Sequence, residues 1–290
     1  MKEGRLKASI TGLAIGDALG RQAFFESSIL QHDTTLEQPL RYTDDTRMAL
    51  ALCRVLLSRG EVDTDELAGR FAADFVEEPE RGYGAVAYYI LHQISSGIPW
   101  EEASTSVYGG TGSKGNGAAM RVAPLGAYFA DQPEKVLAQA RLSALPTHAH
   151  PEGIAGACAV AWTTSVLIAS GDEDETLLFE RVLGGLSENP LRERIEEASE
   201  LGPCDARVAG EALGAGEQIL ASDTTPLAVW LAIHHRHNFE AAILATVRAC
   251  PSPDADVDTL CAMVGGMIAP VCADTIPVRW SSVVEPFQLS

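Results

Sequence analysis

Two short acidic stretches carry the residues whose types and spacing could do chemistry. Residues 41–48 read RYTDDTRM, so Asp44 and Asp45 stand side by side between Thr43 and Thr46, where the chain turns apolar. Residues 253–260, PDADVDTL, repeat the arrangement, with Asp256, Asp258 and Thr259 ahead of a second apolar run. One such boundary is explained by helix capping, since threonine caps a first turn and acids there offset the helix dipole. Two suggest loops that converge. Clustered carboxylates repel, and desolvating them is costly unless they take up protons or bind a cation. An oxygen-only ligand set without a neighbouring Cys or His pair suits magnesium, manganese or calcium rather than zinc. The second cluster fits alternate EF-hand positions through Asp254, Asp256 and Asp258, but Thr259 takes the glycine position and Gly265 the closing glutamate position, so the match fails. A cation on the axis of either helix would oppose its positive end, so the preceding loops should hold it to the side.

A glycine-rich stretch, YGGTGSKGNGAAMRVAPLGAYF at residues 108–129, is the third candidate. Gly110, Gly112 and Gly115 satisfy G-x-G-x-x-G literally, but no strand precedes them and no βαβ alternation surrounds them. Lys114 follows serine rather than glycine, which excludes a P-loop. Such glycines let backbone N–H groups approach an anionic ligand; the alternative is a plain connection before a buried helix. In THAHPEG, His148 is a candidate ligand contact and His150 reads as structural. Tyr83, in the loop RGYGAV, is a candidate for the ligand side. Asp17 in GDALG reads either as a site contact or as a buried helix-end acceptor. His234, His235 and His237 form HHRH after an apolar run and read as helix-end charge or surface solvation. The acids from Glu193 to Glu200 read as a solvated helix face.

The elements that must position these residues are helices. TDELAGRFAADFVEE places Leu67, Phe71 and Phe75 on one helical face, and runs such as PEKVLAQARLSAL and NFEAAILATVRAC behave alike. Alternating strand patterns are nearly absent, and no stretch is long enough in Pro, Ser or Gly to be a linker. The 290 residues therefore predict one all-α domain, a compact bundle of roughly ten or more helices spanning residues 1–290. The charge-free stretch Gly153–Gly171 predicts a buried helix rather than a membrane span. A net charge of −19 argues against nonspecific binding to nucleic acid or an anionic membrane. The six scattered cysteines form no C-x-x-C pair and suggest reduced thiols. With no apolar leader at the N-terminus, a cytoplasmic location is expected, as a monomer or small homo-oligomer.

In order along the chain, GLAIGDALG, TDDT, SKGNGAAMRVAPLG, THAHPEG and DVDTLCAMVGGM resemble the motifs of the ADP-ribosylglycohydrolase family. That resemblance implies an all-α fold with a binuclear centre of two divalent cations, Mg²⁺ or Mn²⁺. It implies Thr43, Asp44, Asp45, Asp256, Asp258 and Thr259 as the metal ligands. It further implies hydrolysis of the N- or O-glycosidic bond at the anomeric carbon of ADP-ribose in an ADP-ribosylated protein or small molecule. Asp44 or Asp45 would act in water activation or proton transfer. Ser113, Gly115, Asn116 and Gly117 would cradle the diphosphate and distal ribose, with His148 against the substrate. Two departures stand out. Phe24 occupies the position, seven residues after Asp17, where many relatives carry glutamate; Glu26 lies two residues on and is the candidate substitute. PDA replaces the usual glycine pair before the last acidic motif. The departures leave a catalytically silent ADP-ribose-binding module as one alternative, and a metal-dependent phosphohydrolase is another.

Overall fold

The computed structural model describes residues 1–25 and 39–289. Glu26 lies outside them. Fifteen α-helices make up the regular structure, and pairing between extended segments is limited to isolated bridges among the described residues. The expected all-α class is therefore met. In chain order the helices are α1 (Lys2–Phe25), α2 (Asp44–Arg59), α3 (Thr64–Glu77), α4 (Ala85–Ser95), α5 (Trp100–Thr105), α6 (Ala123–Tyr128), α7 (Pro133–Ala144) and α8 (Pro151–Ser170). They continue as α9 (Glu175–Gly185), α10 (Pro190–Leu201), α11 (Ala206–Leu213), α12 (Ala221–His235), α13 (Phe239–Ala249), α14 (Val257–Cys272) and α15 (Val278–Ser281).

The core is organised on α1 and α14. Gly12, Gly16 and Gly20 recur every four residues and so share one face of α1. That face lies directly on the backbone of α14. A Cβ added at Gly16 would sit 2.1 Å from the Cys261 carbonyl oxygen, and one at Gly12 would sit 2.4 Å from that of Gly265. Ser9 Oγ donates to the Gly266 carbonyl across the same seam at 2.6 Å. Elsewhere on α1, Leu6, Ile10, Leu13 and Leu19 are fully buried. Helices α12, α13 and α8 pack on α14, and α2 packs on α1. Gly126 brings α6 equally close to α8, since a Cβ there would lie 2.1 Å from the Ala161 carbonyl oxygen.

Two helices, Pro151–Ser170 and the one beginning at Val257, are long and apolar enough to cross a membrane, but each is 72% buried inside the fold. They are core helices built from small residues. Of the two readings of His234, the helix-end one fits better than surface solvation. It stands half-buried in the last turn of α12, with its ring 4.5 Å from that of Trp230 and also near Phe179, and its Nδ1 3.3 Å from Glu175. It is covered in part because α12 continues through His235 with α9 packed alongside.

The entry to α2 is fastened from two directions. Leu40 bridges to Val284, and Arg81 donates to the Tyr42 carbonyl at 3.1 Å while pairing with Glu285. The Asp44 N–H donates to the Arg81 carbonyl at 2.9 Å. Segment 40–44 is thereby held between the C-terminal strand-like stretch and the α3–α4 loop.

Candidate functional site

Thr43 is the N-cap of α2, and its hydroxyl accepts from the Asp45 N–H at 3.3 Å while donating to Asp45 Oδ2 at 3.0 Å. The capping role anticipated for TDDT is thus present. Asp17 completes the turn from α1. Its fully buried carboxylate accepts from the Thr43 N–H at 3.0 and 2.9 Å, from the Thr46 N–H at 3.1 Å and from Thr46 Oγ1 at 2.6 Å. Of the two readings of Asp17, the buried helix-end acceptor is the one the geometry shows. The glycine seam explains its position, because only a helix laid against α14 reaches both motifs.

Asp256 caps α14 by position, and Asn116 Nδ2 donates to its Oδ2 at 2.6 Å. That bond joins the glycine loop to the second acidic motif, 140 residues away in sequence. Asp44, Asp45, Asp256, Asp258 and Thr259 all line one cavity of about 540 Å³, together with Ser113, Gly115, Asn116, Gly117 and His148. Two separate loops and a glycine-rich segment therefore converge as the sequence suggests. Thr43 and Tyr83 are not among the lining residues. Tyr83 turns inward instead, its ring 5.3 Å from that of Phe75, while Gly82 and Gly84 beside it face the cavity.

The acids are held far from their ordinary titration range. Burial, then the charge of Asp258, pushes Asp17 up to about 7. Burial and the same neighbour push Asp256 up to about 7. Burial, then Asp17, holds Asp44 and Asp45 well above the usual carboxylate range. Asp45 Oδ1 is buried with no hydrogen-bond partner. A buried carboxylate oxygen without a donor, among like charges, is the arrangement that a hard cation resolves. The donor set is all oxygen, and Thr43 Oγ1 retains one lone pair after its two cap bonds.

A stability test follows from these shifts. In the unfolded chain the same carboxylates titrate near 4. The folded, metal-free chain binds their protons more tightly, so their contribution is full below about 4 and is lost as pH rises through about 7. Melting of EDTA-treated protein should therefore fall by several degrees between pH 5 and pH 8. Millimolar Mg²⁺ should restore most of that loss at pH 8, because cations then replace the protons. A melting temperature at pH 8 indifferent to Mg²⁺ or Mn²⁺ would contradict the fit.

The glycine loop is shaped for close approach. Gly110 and Gly112 have φ of 94° and 80°, in the left-handed region glycine tolerates. A Cβ at Gly112 would meet the His150 backbone at 2.6 Å. Gly115 donates its N–H to Ser113 Oγ at 3.1 Å, and Asn116 donates its N–H to the Ile219 carbonyl at 3.2 Å. His150 caps α8, accepting from the Glu152 N–H at 3.1 Å, which is the structural role expected of it. Gly153 in the first turn of α8 lets that helix close over the His148 ring.

Of the lining residues that sequence reasoning passed over, Arg121, Tyr108 and Ile219 carry the most chemistry. Arg121 is fully buried beside the acids, and burial pushes it down to about 9, so it stays charged at neutral pH. Its only signal was a lone cation inside AAMRVAP. Tyr108 and Ile219 are exposed, have φ of 52° and 56°, and line the same cavity. Positive φ in a bulky residue is strained backbone, and sequence carries no mark of it.

The family model described as ADP-ribosylglycohydrolase matches residues 2–288. Over 330 aligned residues the chain is 26% identical to ADP-ribosylhydrolase ARH3 of Homo sapiens, covering 98% of this chain and 90% of that protein. It is 29% identical over 294 residues to an uncharacterized protein of Archaeoglobus fulgidus, covering 96% and 90%. A solved structure described as an ADP-ribosylglycohydrolase-related protein complex superposes with a TM-score of 0.67 at 24% identity, covering 98% of this chain and 93% of that one. That last likeness is one of fold.

Proposed function

The chain belongs to the ADP-ribosylglycohydrolase family, and we propose that it uses this cavity to hydrolyse the glycosidic bond at the anomeric carbon of an ADP-ribosyl group. The observation that carries the reading is the convergence of Asp44, Asp45, Asp256 and Asp258 on one cavity with the glycine loop. Thr43, Asp44, Asp45, Asp256, Asp258 and Thr259 would hold two divalent cations, Mg²⁺ or Mn²⁺. Such cations supply acidified water and fix ribose hydroxyls.

The chain's own groups account for the remaining steps. Asp44 or Asp45, both in the first turn of α2 and both lining the cavity, would take the proton of the attacking water. The carboxylate cluster favours positive charge developing at the anomeric carbon. Gly115 and Gly117 let the loop approach the diphosphate and distal ribose closely, Asn116 Nδ2 has a second hydrogen to give beyond the one taken by Asp256, and Ser113 braces the loop. His148 lies against the same ligand. Arg121 adds a fixed positive charge beside the loop, which an anionic ligand needs in a chain of net charge −19. Tyr108 and Ile219 offer exposed apolar faces at the cavity for a base.

A panel of ADP-ribosyl-arginine, ADP-ribosyl-serine peptide and O-acetyl-ADP-ribose tests the reading, each incubated with Mg²⁺, Mn²⁺ or EDTA. Free ADP-ribose should appear from at least one substrate and stop with EDTA. Tight ADP-ribose binding with no turnover on any linkage would support a silent binding module instead. Release of phosphate from a nucleotide would support a phosphohydrolase.

A further inference from the structure

Arg121 spends its buried charge on oxygens that lead to the ligand loop. Its Nη1 donates to the Gly117 carbonyl at 3.1 Å, and its Nη2 donates to the Ser143 carbonyl and to Thr147 Oγ1, both at 2.9 Å. Its guanidinium also lies 4.4 Å from the centre of the Phe71 ring. Thr147 Oγ1 in turn lies 2.8 Å from His148 Nδ1. All three side chains are buried.

The proton count in this chain has one solution. A guanidinium has donors only, so Thr147 Oγ1 must accept from Arg121. The single Thr147 hydroxyl proton then needs an acceptor, and His148 Nδ1 is the one within reach. An Nδ1–H would instead give Oγ1 two incoming donors and leave its own proton unplaced. His148 Nδ1 therefore accepts, and the ring proton resides on Nε2. Nε2 has no protein partner among the described residues. It faces the loop, 3.4 Å from where a Cβ would stand at Gly115 and 3.4 Å from that at Gly117.

We infer that Arg121 and Thr147 are positioning residues that lock His148 in its Nε2–H tautomer, so that the cavity offers a neutral N–H donor to an acceptor oxygen of the bound diphosphate. The inference rests on the reading of His148 as a ligand contact. The ring stays neutral because burial and the Arg121 charge hold His148 down to about 3. A neutral donor selects a ligand that presents oxygen acceptors and disfavours one that presents a donor at that point. Gly153 contributes by leaving room for the ring, since a Cβ there would stand 3.0 Å from His148 Cδ2.

The test reads the tautomer apart from activity. Nitrogen-15 NMR of the ligand-free protein should show Nδ1 of His148 with the shift of an unprotonated nitrogen and Nε2 with that of a protonated one. Thr147→Val should mix the tautomers and raise KM about tenfold, the loss of one hydrogen bond to a charged group, with kcat within about twofold. Thr147→Ser keeps the hydroxyl and should restore both the spectrum and KM, which also covers the case in which the valine variant does not fold. A protonated Nδ1 in the unaltered protein would overturn the inference. So would a Thr147→Val protein with unchanged tautomer and KM. A shifted tautomer with unchanged KM would overturn the role of His148 in ligand binding and leave the hydrogen-bond assignment standing.

Discussion

Asp45→Asn should lower kcat for ADP-ribose release by roughly 10³-fold, the scale of losing a general base. Asparagine keeps an oxygen for the Thr43 hydroxyl, which now donates to Asp45 Oδ2 at 3.0 Å, so the cap of α2 survives. What disappears is a negative charge at a buried position where Oδ1 has no donor. In the metal-free protein that charge is repelled by Asp17, Asp44, Asp258 and Asp256. The variant without added metal should therefore melt at or above the temperature of the unaltered protein at pH 8 while its activity is lost. Added Mg²⁺ should raise its melting temperature less than it raises that of the unaltered protein. A site kept for chemistry at the expense of stability shows this split. Loss of activity accompanied by unfolding would instead make Asp45 a structural residue.

Gly16→Ala should destabilise by about 3 kcal/mol or more, the upper range for overpacking a close contact. The new methyl group would stand 2.1 Å from the Cys261 carbonyl oxygen, which is helix backbone and has nowhere to rotate. The two helices must separate, and the seam at Gly12 and Gly20 opens with them. For a chain of this length the melting temperature should fall by on the order of 10 °C. Gly4→Ala is the control on the same helix. Nothing lies within 4 Å of the added atom there, so helix propensity alone acts and should stabilise by roughly 0.5–1 kcal/mol. Activity should fall with Gly16→Ala as well, because Asp17 on α1 holds the TDDT turn through four hydrogen bonds. Calorimetry of the two variants together with ADP-ribose release would check both effects. Equal melting temperatures for Gly4→Ala and Gly16→Ala would contradict the seam.

Much of this was legible in the sequence, for identifiable reasons. The TDDT and DVDT boundaries are local patterns: a capping residue, first-turn acids, then an apolar helix. The helices follow from periodicity. What the sequence hid depends on where the chain goes next. Arg121 sits in an apolar run, and only the fold brings Ser143 and Thr147 to its guanidinium. Tyr83 lies in a glycine-flanked loop that reads as cavity lining, yet its ring found Phe75. His234 was readable as a helix-end residue, but only the fold sets its ring against Trp230 and Phe179. Tyr108 and Ile219 are ordinary residues whose positive φ only the backbone reveals. Phe24 ends up in the last turn of α1, and the substitute suggested for its missing glutamate, Glu26, lies outside the described residues.

Phosphorus-31 NMR of an ADP-ribosylated peptide incubated with the protein and Mg²⁺ tests the central claim most directly. If Asp44, Asp45, Asp256 and Asp258 serve glycosidic cleavage, the diphosphate resonances persist and shift only to those of free ADP-ribose, and EDTA halts the change. Loss of the diphosphate signals, with AMP and a phosphoribosyl peptide appearing, would contradict it.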